Sequence, residues 1–147
     1  MDNQDDLLSG FDFDKLQLTE RQACVWAFRA QGVTQTQIAK QWGTSRANIC
    51  MLEKAAREKI ERARETVLFD EQLNAPLQVT CHPGELLLDI PDKLDRQALD
   101  LDIQIQPEAV IDQILTHAPN CVRENRFVRP ARISVTQSGH LHIRPLI

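Results

Sequence analysis

Residues 34–52, TQTQIAKQWGTSRANICML, decide how this chain folds. Thr34 is a helix-capping residue, and Ile38, Ala39 and Trp42 fall on one face of the helix that follows it. Gly43 then supplies a position that tolerates left-handed backbone, and Ser45 caps a second helix whose Ile49 and Leu52 point the same way. Two helices joined by so short a turn cross steeply, which demands a small side chain on the first and apolar contacts on the second. Ala39, Gly43, Ile49 and Leu52 meet those demands in the spacing A-x-x-x-G-x-x-x-x-x-I-x-x-L, that of a helix-turn-helix.

Working outward, residues 18–32, LTERQACVWAFRAQG, predict a preceding helix with Thr19 as its cap, Gln22 at the capping-box offset and Gly32 beyond its end. The helix beginning at Ser45 continues to about Val67, with Ile49, Leu52, Ala56, Ile60, Ala63 and Val67 on one stripe and no Gly or Pro to stop it. Residues 1–17 are expected to be an acidic, mostly mobile arm pinned at most by Phe11 and Phe13. Residues 69–76 read as a linker ending in Pro76. Beyond it, residues 77–147 change character: short segments LQVTCH and ELLLDIP, a helix from about Asp92, a second from Pro107 to before Pro119, and a hairpin. The hairpin is signalled by alternating Ile133 and Val135, a QSG turn, then Leu141 and Ile143. The expected fold is therefore α+β overall: an all-α helix-turn-helix domain at residues 18–68 with a long third helix, and a small α+β domain at residues 77–147.

The chain has 147 residues, 42% of them hydrophobic, enough for two small cores. Its formal charge of −4 hides a division by segment. Residues 1–14 hold five aspartates and no Lys or Arg, residues 15–68 ten Lys or Arg against five Glu, and residues 69–147 seven against eleven acidic residues. A basic module thus lies between acidic flanks. The third helix interleaves Lys54, Arg57, Lys59, Arg62 and Arg64 with Glu53, Glu58, Glu61 and Glu65 at offsets of three and four, so most of that run is expected to be a solvated, internally paired face. The four cysteines form no C-x-x-C pair, which argues for reduced thiols. The start MDNQDD has no basic leader and no apolar run has the length of a membrane span, so a cytoplasmic protein without a membrane partner is expected.

At the start of the third helix, Ser45, Arg46, Asn48 and Met51 are the candidates for reading base edges in a major groove. Arg46 can donate two hydrogen bonds to guanine O6 and N7, and Asn48 can pair with adenine. Gln35, Thr44 and Lys54 are candidates for phosphate contacts, which fix register without reading sequence. The alternative, from another class, is a protein-interaction adaptor that docks the same helices onto a partner protein without binding DNA.

Residues 18–67 as a whole resemble the N-terminal domain of the archaeal Tfx family of DNA-binding transcriptional regulators, and more distantly sigma-factor region-four and LuxR-type domains. LTERQ, TQTQIA, GTSRAN and EKAAREKIERARET carry the resemblance. The IP at residues 90–91 and the hairpin ARISVTQSGHLHI carry a weaker one to the C-terminal domain of the same family. Trp26 and Trp42 depart from it, standing where aliphatic residues are commoner. The resemblance implies transcription regulation, activation included, with double-stranded DNA as partner.

Three readings of the second half stay open. Arg123, Arg126, Arg129 and Arg132 recur every three residues and suit an oxyanion effector, although that spacing alternates faces on an extended strand. Cys81, His82 and above all His117, Cys121, His140 and His142 are weak metal-ligand candidates, with Pro119 interrupting the helical offset between His117 and Cys121. The third reading is a docking and homodimerisation domain with no small ligand, since reading two half-sites takes two copies; an effector or transcription machinery is a further candidate partner. No nucleophile–base pair or phosphate-cradling loop is present, so neither an enzyme nor a cofactor is expected.

Overall fold

The computed structural model describes residues 4–147. The chain divides into two domains, residues 1–67 and 68–147, and the first three residues of the expected arm lie outside the described part.

In the N-terminal domain, α1 (Gln4–Leu7) and a 3-10 turn at Phe13–Lys15 precede α2 (Glu20–Ala30), α3 (Gln35–Trp42) and α4 (Arg46–Leu73). Both early caps form as the sequence demands. Thr19 Oγ1 accepts from Gln22 N at 3.2 Å while Gln22 Oε1 accepts from Thr19 N at 3.1 Å. Thr34 and Gln37 repeat the exchange at 3.1 and 2.9 Å, so each helix start satisfies two otherwise orphaned N–H groups. Gly43 ends α3 in the left-handed region at φ 64°, and Thr44 N returns to Ala39 O at 2.9 Å. Val25, Phe28, Ile38, Ala39 and Ile49 make the core, with Leu7, Val33, Trp42 and Leu52 half-buried against it.

Within the expected arm α1 forms and Leu7 packs on the core, whereas Phe11 is exposed. One expectation is corrected here. The third helix does not end near Val67. Nothing in residues 68–73 stops a helix, so α4 runs to Leu73, where Asn74 Nδ2 donates to Asp70 O at 3.1 Å. The break expected over residues 69–76 shrinks to residues 74–76.

In the C-terminal domain, β1 (Leu77–Cys81) leads through a 3-10 turn at Leu87–Asp89 into α5 (Ile90–Ala98) and then α6 (Pro107–His117). The short strands β2 (Val122–Arg123) and β3 (Arg126–Phe127) follow, then β4 (Ala131–Val135) and β5 (Leu141–Pro145). ELLLDIP is thus a turn and the opening of a helix. Pro91 fits the first turn of α5 because its fixed φ suits a helix and its missing N–H is not needed there. The antiparallel sheet runs β1-β4-β5, pairing Val79 with Ile133 and Ile133 with Ile143. Its alternate residues Leu77, Val79, Ile133 and Val135 bury against Ile90, Leu94, Val110 and Ile114 of α5 and α6. The β4–β5 hairpin forms as its QSG turn requires: Gly139 lies at φ 87°, and a Cβ there would stand 2.8 Å from Gln104 O.

Candidate nucleic-acid interface

Ser45 is the cap of α4 and not its first residue: its Oγ accepts from Asn48 N at 3.1 Å, and the helix begins at Arg46. Arg46, Asn48, Met51 and Lys54 are all exposed on α4 behind that cap, Met51 at 71%. Asn48 Nδ2 donates to Thr44 Oγ1 at 3.0 Å, which steadies the amide beside the turn. On the opposite side of the motif Ala39 and Ile49 are buried and Leu52 is half-buried.

The residue that holds these helices together was not expected to be buried at all. Glu53 is 8% exposed at its side chain, and Arg29 Nε of α2 donates to its Oε1 at 2.6 Å. Gln35 Nε2 of α3 donates to the other carboxylate oxygen at 2.6 Å, and Arg57 stands 4.0 Å away on α4. Gln35, a phosphate candidate by sequence, thereby has one amide hydrogen committed to the interior. Burial pushes the Glu53 carboxyl up, but the hydrogen bonds from Arg29 and Gln35 and the nearby positive charge outweigh it and hold the group below its ordinary value. One ionised carboxylate therefore ties all three helices of the motif. Arg29 also donates to Val33 O at 3.0 Å, fixing the α2–α3 connection.

The charges of α4 are less internally paired than their spacing suggests. Among the described residues, Arg57 with Glu53 is the one ion pair within the helix, and Lys59 instead donates to Gln22 Oε1 at 2.8 Å. Pairs at these offsets on an open face gain little against side-chain entropy, so side chains there extend into water. The two tryptophans have a use of their own: Arg21 lies 5.2 Å over Trp42 and Arg57 5.9 Å over Trp26.

The sequence-level alternatives in the second half separate. His140 Nδ1 lies 2.8 Å from Ser138 Oγ, His142 Nε2 lies 3.3 Å from Glu71 Oε2, and Cys121 Sγ lies 3.8 Å from Pro130 O. His117 is exposed at the end of α6. Among the described residues no three His, Cys, Asp or Glu side chains converge as a metal site, and burial pushes the Cys81 thiol up to about 12, far from a thiolate ligand. Of the four arginines, Arg126 donates to Gly84 O and Arg132 to Thr80 Oγ1, leaving Arg123 and Arg129 on one cavity. Among the described residues, no helix is long and apolar enough to cross a membrane.

A family model described as "DNA_binding protein, TFX, C-term" matches residues 63–143, more than half of the chain. The chain belongs to the Tfx family. A putative transcriptional regulatory protein of Haloarcula marismortui is 35% identical over 144 residues, 95% of this chain and 91% of its own length. A Thermococcus kodakarensis protein also described as a putative transcriptional regulatory protein is 41% identical over 104 residues, 69% of each chain. The DNA-binding protein Tfx of Methanothermobacter thermautotrophicus is 38% identical over 77 residues, 52% of this chain and 56% of its own. The Tfx model lies over the C-terminal domain and the last part of α4, while the similarity to the Haloarcula protein extends over the helix-turn-helix as well.

Proposed function

We propose that this Tfx-family chain is a sequence-specific regulator of transcription that binds double-stranded DNA and reads the major groove with the N-terminal end of α4. The observation that carries the reading is the first turn of α4. Ser45 caps the helix, Arg46 and Asn48 are exposed in that turn and Met51 in the next, and the Arg29–Glu53–Gln35 network fixes the helix against its two neighbours. Recognition needs side chains that are exposed and a helix that is not free to tilt.

Each side chain then has a role. Arg46 presents its planar fork to guanine O6 and N7. Asn48 has two amide hydrogens; with one on Thr44 Oγ1, the other and Oδ1 remain for the N7 and N6 of adenine. Met51 gives an apolar contact suited to a thymine methyl, while Thr44, Lys54 and the second amide hydrogen of Gln35 serve phosphates. The basic excess of residues 15–68 attracts the duplex, and the acidic remainder turns other faces of the chain away from it. A second copy on the same duplex supplies the second half-site contact, and bound activator or repressor outcomes depend on where that site lies relative to a promoter.

Fluorescence anisotropy against a random duplex at low and moderate salt tests the reading. Affinity should fall steeply as salt rises, because each neutralised phosphate releases counterions. Absence of duplex binding even at low salt would instead favour an adaptor that docks on protein.

A further inference from the structure

A cavity of about 490 Å³ opens on the C-terminal domain between the turn that follows α6 and the β2–β3 hairpin. Pro119, Asn120, Val122, Arg123, Val128 and Arg129 line it. Its walls are mounted on the core. Cys121 O accepts from Val128 N at 2.8 Å and from Arg129 N at 3.3 Å, Val122 pairs with Phe127 across the hairpin, and Phe127 is 1% exposed. The two arginines therefore project from anchored backbone.

Neither guanidinium has an ion-pair or hydrogen-bond partner among the described residues. Their neighbours in sequence differ, since Arg126 is used on Gly84 O and Arg132 on Thr80 Oγ1. The charge around the cavity is also local. Residues 119–147 hold five arginines against Glu124 alone, whereas residues 77–118 hold eight acidic side chains against Lys93 and Arg96. Two unpartnered positive forks brought to one concavity repel each other until an anion lies between them, and a fork matches a carboxylate or phosphate through paired hydrogen bonds. Val122, Val128 and Pro119 add a smaller apolar share to a mainly polar lining, and the volume falls in the range of roughly 300–1,000 Å³ usual for small-molecule sites.

We propose that this cavity binds a small organic oxyanion, a carboxylate or phosphate ester on a short apolar body, with its charged head between Arg123 and Arg129 and its body against Val122 and Val128. The site lies within the C-terminal domain and does not depend on the DNA reading.

Calorimetric or NMR titration of the full chain with butyl phosphate, butyrate and inorganic phosphate tests it. Saturable binding of butyl phosphate or butyrate at one site per chain is expected, with inorganic phosphate weaker because it leaves the apolar wall uncovered. Arg123→Ala and Arg129→Ala should each weaken that binding by at least about tenfold, and Arg96→Ala, on α5 outside the cavity, should leave it unchanged. Both cavity arginines are exposed, so the variants should melt like the parent chain, which separates lost binding from lost folding. No saturable binding by any of the three probes overturns the proposal, and so does an equal loss from Arg96→Ala, which would mark general charge attraction. Loss of duplex affinity in Arg123→Ala or Arg129→Ala without any anion binding overturns it too, by making these arginines DNA contacts.

Discussion

The N-terminal domain fixes its helices with a buried carboxylate, while the C-terminal domain relies on apolar volume. Around Val25, Phe28, Ile38, Ala39 and Ile49 the first has little interior to lock three helices at defined angles, and Gln22 and Glu53 are buried beside it. The second packs two helices on a three-stranded sheet, and Ser134 is its one buried polar side chain among the described residues. Its own depressed carboxyl, Glu85, accepts from Lys93 Nζ at 3.0 Å but stays 29% exposed at the side chain. A small domain whose task is to hold one helix end in place gains orientation from directional bonds; non-directional apolar burial supplies stability without specifying an angle.

Equivalent truncations in the two cores should break this comparison open. Phe28 and Phe127 are both essentially unexposed, and Phe→Ala in a core costs about 3–5 kcal/mol. A domain of the N-terminal size has a total stability of only about 3–10 kcal/mol. Phe28→Ala should therefore unfold a large part of the N-terminal domain at ambient temperature and abolish duplex binding, with the C-terminal melting transition in place. Phe127→Ala should lower that second transition and spare duplex binding. Calorimetry with anisotropy on the same samples reads both, and a shared single transition lowered alike by both variants would show that the domains do not stand apart energetically.

The next effect is smaller and belongs to Glu53. Arg29→Ala leaves its carboxylate buried with Gln35 and a distant Arg57, which should cost about 2–4 kcal/mol. Glu53→Gln removes the buried charge and leaves Arg29, whose guanidinium is 37% exposed and can turn to water, so it should cost less. Acid sharpens the contrast. The folded-state pKa of Glu53 lies below the ordinary 4.5, so the ionised network contributes fully above that value and is lost as pH falls through the folded pKa. Glu85 follows the same sign: burial raises it, but the backbone N–H of His82 and the ammonium of Lys93 outweigh that and hold it below its ordinary value. Both transitions should thus fall below about pH 4.5, and Glu53→Gln should flatten that dependence in the N-terminal transition alone. Melting curves between neutral pH and pH 3 separate this from a general charge effect, which would leave the slope of both transitions unchanged in the variant.

What the sequence discloses divides along the same physical line. Thr19 with Gln22, Thr34 with Gln37, Gly43 and the QSG hairpin turn are legible because the bonds that make them span only a few residues. Glu53 is hidden because charge alternation along α4 marks a solvated face, although its position four after Ile49 and three before Ala56 sets it on the buried stripe. The end of α4 is hidden in the same way, since the acidic composition of residues 69–73 resembles a linker yet holds nothing that halts a helix. Among the arginines, a spacing of three cannot reveal which ones meet. The positive φ of Glu124 and Asn125 reverses the chain so that Arg123 faces Arg126 across the hairpin, and only the return of Val128 and Arg129 to Cys121 O brings Arg129 to the cavity of Arg123.

The smallest effect bears on the exposed end of α4, where neither domain's core is touched. Arg46 and Lys54 are both exposed cations on one helix, so loss of either should leave melting unchanged, and any difference between them is one of recognition. Selection of bound sites from a random duplex library first supplies the preferred sequence. Arg46→Ala should then lose about 1–3 kcal/mol of discrimination at a single base pair, relaxing the preference there while leaving the other positions intact. Lys54→Ala should weaken binding to preferred and random duplexes alike and lower the salt slope by about one. Equal loss of preference from both substitutions would remove the division between base reading and phosphate positioning. Loss of preference from Lys54→Ala alone would move the reading edge further along the helix, toward Met51 and away from the capped turn.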